Sequence, residues 1–224
     1  MLSFRPGQAS RRSGERYVVQ PYSWYGLNMV WLALVLFVAT TIAVVRGGRL
    51  RNLSDIRLRM WWLLILGFGM QSITGLFPED ADWSRPTGVT LILLSYAPLL
   101  LMVVLNRDKP GMWLAGLGIL MNFSVIAANG GMPVLEEAAI VAGGFPESVD
   151  LTGNYKHLVL DETSHLAFLA DVIPLRFLGQ GQVISLGDVL LAVGLGRFLE
   201  HELRRPVRWF KHGAQAEAGS ARRD

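Results

Sequence analysis

Four long apolar runs constrain this chain more than any other feature. They occupy residues 25–45, 60–77, 87–105 and 112–129. Crossing a hydrocarbon core of about 30 Å at about 1.5 Å per residue takes roughly 17 to 25 residues of predominantly apolar helix, and all four approach that length. A fifth run at 186–203 is interrupted by Asp188, Arg197 and the pair Glu200 and Glu202. The expected class is therefore all-α, a polytopic membrane helix bundle of about five transmembrane helices with the lipid bilayer as its solvent. Composition agrees, because 51% hydrophobic residues against 17% charged is too apolar for an ordinary soluble domain of 224 residues.

Short connections set the expected orientation, since Lys and Arg are retained on the cytoplasmic side. The connection RGGRLRNLSDIRLR is basic and reads as inside, PEDADWSRP is acidic and reads as outside, NRDKPG returns inside, and RRPVRWFKHG is cytoplasmic. Residues 130–182 then form a long external loop rich in Asp and Glu. The net charge of +3 lies in these short runs beside apolar segments, so it reads as a topology signal with no nucleic acid as partner. Trp24, Trp31, Trp61, Trp62, Trp83, Trp113 and Trp209 fall in, near or just beyond expected helix ends, where indole rings favour the headgroup level.

This alternation puts the N-terminus outside, although Arg5, Arg11, Arg12 and Arg16 precede the first run. The conflict is relieved if residues 1–28 are a basic leader outside the natural chain, with translation from Met29. The membrane domain is then 29–205, and 206–224 is a disordered cytoplasmic tail.

Within the external loop, Pro133 suits the first position of a short surface helix over 134–142, with Glu136 and Glu137 in its first turn and Gly143-Gly144 as its stop. Residues 144–153 read as a turn-rich loop. Residues 155–173 read as an amphipathic segment lying on the membrane or dipping into it.

Several residues carry chemical possibilities. Gln71, Ser95, Tyr96 and Asn122 reach similar depth, and polar groups at such depth serve mainly as interhelical hydrogen-bonding glue. Ser185-Leu186-Gly187-Asp188 fits a capping box at the start of the last helix, yet a carboxylate fixed at a membrane surface is also a usable acid or base. His157, Asp161 and His165 are spaced i, i+4, i+8, a pattern that on a helix would stack two imidazoles and a carboxylate and could hold a divalent metal if a further ligand such as Asp171 closed the shell; exposed loop residues share that spacing, and no metal is assigned. Asn129-Gly130-Gly131 follows the fourth run, where a left-handed residue commonly closes a helix. A turn opening toward a ligand there, with His157, is the alternative. No cysteine is present, which removes disulfides, thiolate catalysis and Cys-ligated metals, and no cofactor is called for.

The ordered motifs IAANGGMPV, NYKHLVLDETSHLAFLADVIPL and VISLGDVLLAVG resemble an uncharacterised family of bacterial multi-pass membrane proteins known as a domain of unknown function. VVRGGRLRNLSDIRLR is similar to that family's first cytoplasmic loop. The likeness spans residues 29–203 and implies a bacterial plasma membrane without bringing an activity. A fainter likeness is to the lipoprotein signal peptidase, an aspartyl protease, which implies Asp171 and Asp188 as a catalytic pair. Asn129-Gly130 is similar to that family's Asn-Thr-Gly turn. The departures are that Leu186 stands where that family has Asn, and Val172 and Ile173 follow Asp171.

The expected function is structural, binding or accessory, with the external loop facing an extracytoplasmic or membrane partner. An aspartate-dependent hydrolase is the alternative. Transport ranks third, because no internal repeat or pair of broken helices accompanies the five runs.

Overall fold

In the computed structural model, residues 24–78, 81–143, 155–177 and 180–205 are described. The leader falls mainly outside this range, and the tail and the 144–153 loop fall wholly outside it. Most of the described chain is helical, and it divides into a helix bundle and a small α/β lobe at one end of it.

Five helices build the bundle: α1 (Trp24–Val45), α2 (Trp62–Ile73), α3 (Ser84–Leu105), α4 (Met112–Asn129) and α6 (Leu186–Leu203). A 3-10 turn over Thr74–Leu76 prolongs α2, and another over Leu50–Asp55 follows α1. Two of the helices, α3 and α4, are long and apolar enough to cross a membrane. Neighbours pack in the order α2, α3, α4, α6, α1. The outward surface stays apolar: Phe37, Ile65, Leu94 and Trp113 are exposed on four different helices.

Small residues decide how closely α4 and α6 approach. Gly111, just before α4, and Ala115 and Gly118 on it meet Gly187 and Gly194 on α6, and a methyl group on Gly118 would overlap the Gly187 carbonyl. Close backbone approach at Gly and Ala is how helices associate where no hydrophobic force separates protein from lipid.

The segment expected as an external loop is instead an α/β lobe. Strand β1 (Met132–Val134) pairs in parallel with β2 (His157–Val159), α5 (Glu136–Gly143) lies between them in sequence, and β3 (Ile173–Phe177) pairs antiparallel with β4 (Gln180–Ile184). The all-α expectation is corrected to that extent. Pro133 does not open a helix. It lies in β1, where its carbonyl accepts from the Asp171 N–H at 2.9 Å. Helix α5 starts at Glu136, with both acids at its positive end. Its alanines Ala138, Ala139 and Ala142 pack under Val134 and Val183.

Residues 155–173 form no continuous amphipathic helix either. The Asp161 carboxylate accepts from the Thr163 N–H at 2.9 Å and the Thr163 hydroxyl at 2.7 Å, an Asx turn that competes with helix continuation. These donors also hold Asp161 below the usual carboxylate range. Beyond the turn come the left-handed Leu166 and a 3-10 turn over Ala167–Leu169. His157, Asp161 and His165 therefore share no helix face: His157 faces inward from β2, while Asp161 and His165 are exposed.

Tyr155 anchors the lobe to the bundle. Its ring lies against Gly88 of α3, near Phe77, and its hydroxyl donates to the Pro78 carbonyl at 3.1 Å.

Candidate functional site at the junction of bundle and lobe

Helix α6 begins at Ser185, whose backbone is extended as an N-cap requires. Its Oγ accepts from the Asp188 N–H at 3.0 Å, and Asp188 Oδ2 accepts from the Ser185 N–H at 3.1 Å. This reciprocal pair is the capping box, satisfying two otherwise orphaned donors. Asn122 on α4 joins it across the tight helix contact. Its Nδ2 donates to Asp188 Oδ1 at 2.7 Å, and its Oδ1 accepts from Ser185 Oγ at 2.9 Å. Each Asp188 oxygen thus accepts a hydrogen bond, and the carboxylate is fixed by two helices.

Gln71 serves a different contact, donating to Ser95 Oγ at 2.9 Å between α2 and α3. The polar residues expected at one level therefore form two separate links. Tyr96 is buried against Phe123, within electrostatic reach of both Asp188 and Asp171.

Asp171 sits just before β3 with its backbone tied on both sides, its N–H to Pro133 and its carbonyl to the Leu135 N–H at 2.9 Å. Its side chain is buried. Oδ2 lies 3.6 Å from His157 Nε2, and Oδ1 has no hydrogen-bond partner among the described residues. Burial, reinforced by Asp188, pushes the Asp171 carboxyl well above its ordinary range against a smaller opposing pull from Lys156. Burial and Lys156 together hold the His157 imidazole down to about 3. The His157 imidazole is accordingly neutral near pH 7, and burial favours the protonated form of Asp171 beside it. The contact between them is longer than a hydrogen bond.

Asp171 and Asp188 share one neighbourhood, yet no hydrogen bond joins them among those described. Asp171 lies beside His157, while Asp188 is engaged with Asn122 and Ser185. Asn129, Gly130 and Gly131 are occupied structurally. Gly130 takes the left-handed conformation with its N–H on the Ile126 carbonyl at 2.8 Å, as a helix stop requires. The Asn129 amide donates to the Val125 and His165 carbonyls and accepts from the His165 N–H, at 2.8, 2.9 and 2.7 Å. Gly131 gives room for the Leu158 side chain.

Sequence reasoning missed the linkage of Asn122 to the capping box and the burial of Asp171 beside His157 within the lobe. The capping box was readable in four consecutive residues. Its partner lies 66 positions away, with no local signal beyond Asn122 being polar within an apolar run.

The fold and junction define a class: an apolar helix bundle, two of whose described helices are long and apolar enough to cross a membrane, carrying a small α/β lobe joined to it by buried polar residues. The chain belongs to the family described as "Family of unknown function (DUF5317)", whose model matches residues 55–199. An uncharacterized protein of Thermotoga maritima is 28% identical over 171 residues, covering 75% of this chain and 86% of that protein. No solved structure matches.

Proposed function

We propose that this chain is a multi-pass protein of the bacterial plasma membrane with a structural, binding or accessory role, its lobe outside and its C-terminal end in the cytoplasm. Helices α1, α2, α3, α4 and α6 are the five crossings. The apolar exterior supports this reading, since exposed apolar surface spread over several packed helices is costly in water and favourable in lipid. The lobe is the functional surface in this reading. Glu137 and Val141, one turn apart on α5, are both exposed there and face away from the alanines that pack inward.

The observation that favours a binding role is the state of Asp188. Each Asp188 oxygen accepts from a donor that orders the start of α6 or joins it to α4, which fits a structural role for the carboxylate. Hydrolysis by a carboxylate dyad needs two carboxyls that share a proton, and among the described residues no hydrogen bond joins Asp171 to Asp188, Asp171 lying beside His157.

The test scores Asp171→Asn and Asp188→Asn, beside Glu137→Lys and Val141→Asp, against the phenotype of a deletion strain, with melting of each purified protein. Loss of function at the α5 surface with unchanged melting, and losses at the aspartates only in proportion to melting, is the expected pattern. Matched losses at both aspartates with normal melting and a functional α5 surface would put the hydrolase first.

A further inference from the structure

The bundle end opposite the lobe is strongly basic. Segments 46–59, 106–111 and 197–205 meet there. The Arg49 N–H donates to the Leu203 carbonyl at 2.9 Å, Asn52 donates to the Leu203 and Arg205 carbonyls at 2.8 and 2.9 Å, and Asn106 brackets Arg59 through its N–H and carbonyl at 2.8 and 3.0 Å. Ten Lys and Arg stand against four Asp and Glu in these segments. Among the described residues of the lobe end, in 77–86, 130–143, 155–177 and 180–188, three stand against seven.

Three of the four acids at the basic end are already committed. Glu200 lies between Arg46 and Arg204, Glu202 between Lys109 and Arg205, and Asp108 beside Arg59. A net positive surplus therefore faces outward. It lies level with exposed apolar groups. In the 3-10 turn Leu50–Asp55, residues three apart eclipse one another, so Leu50 and Leu53 project on one edge, both exposed, with Arg49 and Arg51 beside them. Trp61, Trp62 and Trp113 are exposed at the starts of the adjoining α2 and α4.

A partner matching this surface has an anionic head and an apolar tail. Nucleic acid would meet the charge and leave the leucines and tryptophans in water. We propose that this collar binds anionic phospholipid headgroups, with Arg49, Arg51 and Arg57 on phosphate oxygens while Leu50 and Leu53 enter the acyl boundary. Guanidinium groups suit the task because their fork matches two phosphate oxygens at once. The inference rests on the membrane reading above and adds the lipid class that the cytoplasmic end selects.

The full chain is incorporated into phosphatidylcholine vesicles with and without phosphatidylglycerol. In neutral detergent its melting is then followed as phosphatidylglycerol, phosphatidylcholine or inorganic phosphate is added. Phosphatidylglycerol should stabilise at concentrations at least about fivefold below phosphatidylcholine, the preference that one basic residue near an anionic surface supplies. Added salt should erode that preference. The triple variant Arg49→Gln, Arg51→Gln, Arg57→Gln should abolish it, and Arg85→Gln with Arg176→Gln at the lobe end should leave it intact. If the triple variant fails to fold, Arg57→Gln alone and the salt series decide. Incorporation with no preference for phosphatidylglycerol overturns the headgroup proposal and leaves the membrane reading standing, whereas failure to incorporate into either vesicle overturns both. Equal stabilisation by inorganic phosphate would also overturn the proposal, by showing a free-anion site.

Discussion

Replacing Asn122 with alanine breaks the link between α4 and the capping box of α6. Two interhelical hydrogen bonds disappear, each worth about 0.6 kcal/mol on average between membrane helices. Asp188 Oδ1 is left facing the space of the lost amide, and Ser185, itself buried, keeps a hydroxyl proton without its acceptor. A buried polar group stranded in this way costs about 1–3 kcal/mol. The sum is about 2–4 kcal/mol. Gln71→Ala is the built-in comparison: it removes a single half-buried bond, and Ser95 Oγ still donates to the Ile92 carbonyl, so the loss should be nearer 0.6 kcal/mol. Equilibrium unfolding of both variants in mixed detergent and dodecyl sulfate measures the difference. A double-mutant cycle of Asn122→Ala with Asp188→Ala should show coupling of about 1 kcal/mol or more, as residues in one hydrogen-bond network do. A cost for Asn122→Ala no larger than for Gln71→Ala, or additive behaviour in the cycle, would refute the network.

Other consequences are equally open to measurement. Asp188→Asn retains one acceptor but turns an NH2 toward either the Asn122 amide or the Ser185 N–H, so it should cost about 1–2 kcal/mol in the same unfolding assay, within the range for losing a helix cap. Gly118→Leu should prevent normal folding or shift melting strongly, because its side chain meets the Gly187 and Leu191 backbone; an unperturbed melt would disprove the close α4–α6 contact. His157, held at about 3 in the fold against about 6.5 unfolded, should erode stability as pH falls from about 6.5 toward 3, because the unfolded chain takes the proton first. His157→Gln should flatten that limb in melting curves across pH. Asp171 acts with opposite sign: its raised folded value makes its contribution full below about 4 and lost as pH rises through that folded value. Asp171→Asn should remove that alkaline-side loss.

The bundle was largely legible in sequence because its signals are local. Helices α4 and α6 begin and end where the apolar runs, Gly130 and the Ser185 box place them. Helix α2 is shorter than its run, which continues in a 3-10 turn, and α3 starts three residues early at Ser84. The lobe was less legible. Strand β1 owes its state to β2, whose paired residues lie 25 positions away, and no periodicity within three residues announces such a partner. The same limit hid the site. Asp171 could be singled out as an acid near an apolar segment, but its burial beside His157 arises from the Pro133–Asp171 and Met132–His157 pairings, which exist only after the strands meet.

The absence of cysteine from the chain makes its arrangement across the membrane directly measurable. Single cysteines introduced as Glu162→Cys in the exposed turn of the lobe and as Asp108→Cys at the basic end are labelled in intact cells with a membrane-impermeant maleimide, before and after permeabilisation. With the lobe outside and the basic end in the cytoplasm, the lobe site labels in intact cells and the basic-end site only after permeabilisation. Labelling of both sites from the same side, or of the basic end alone in intact cells, would contradict it.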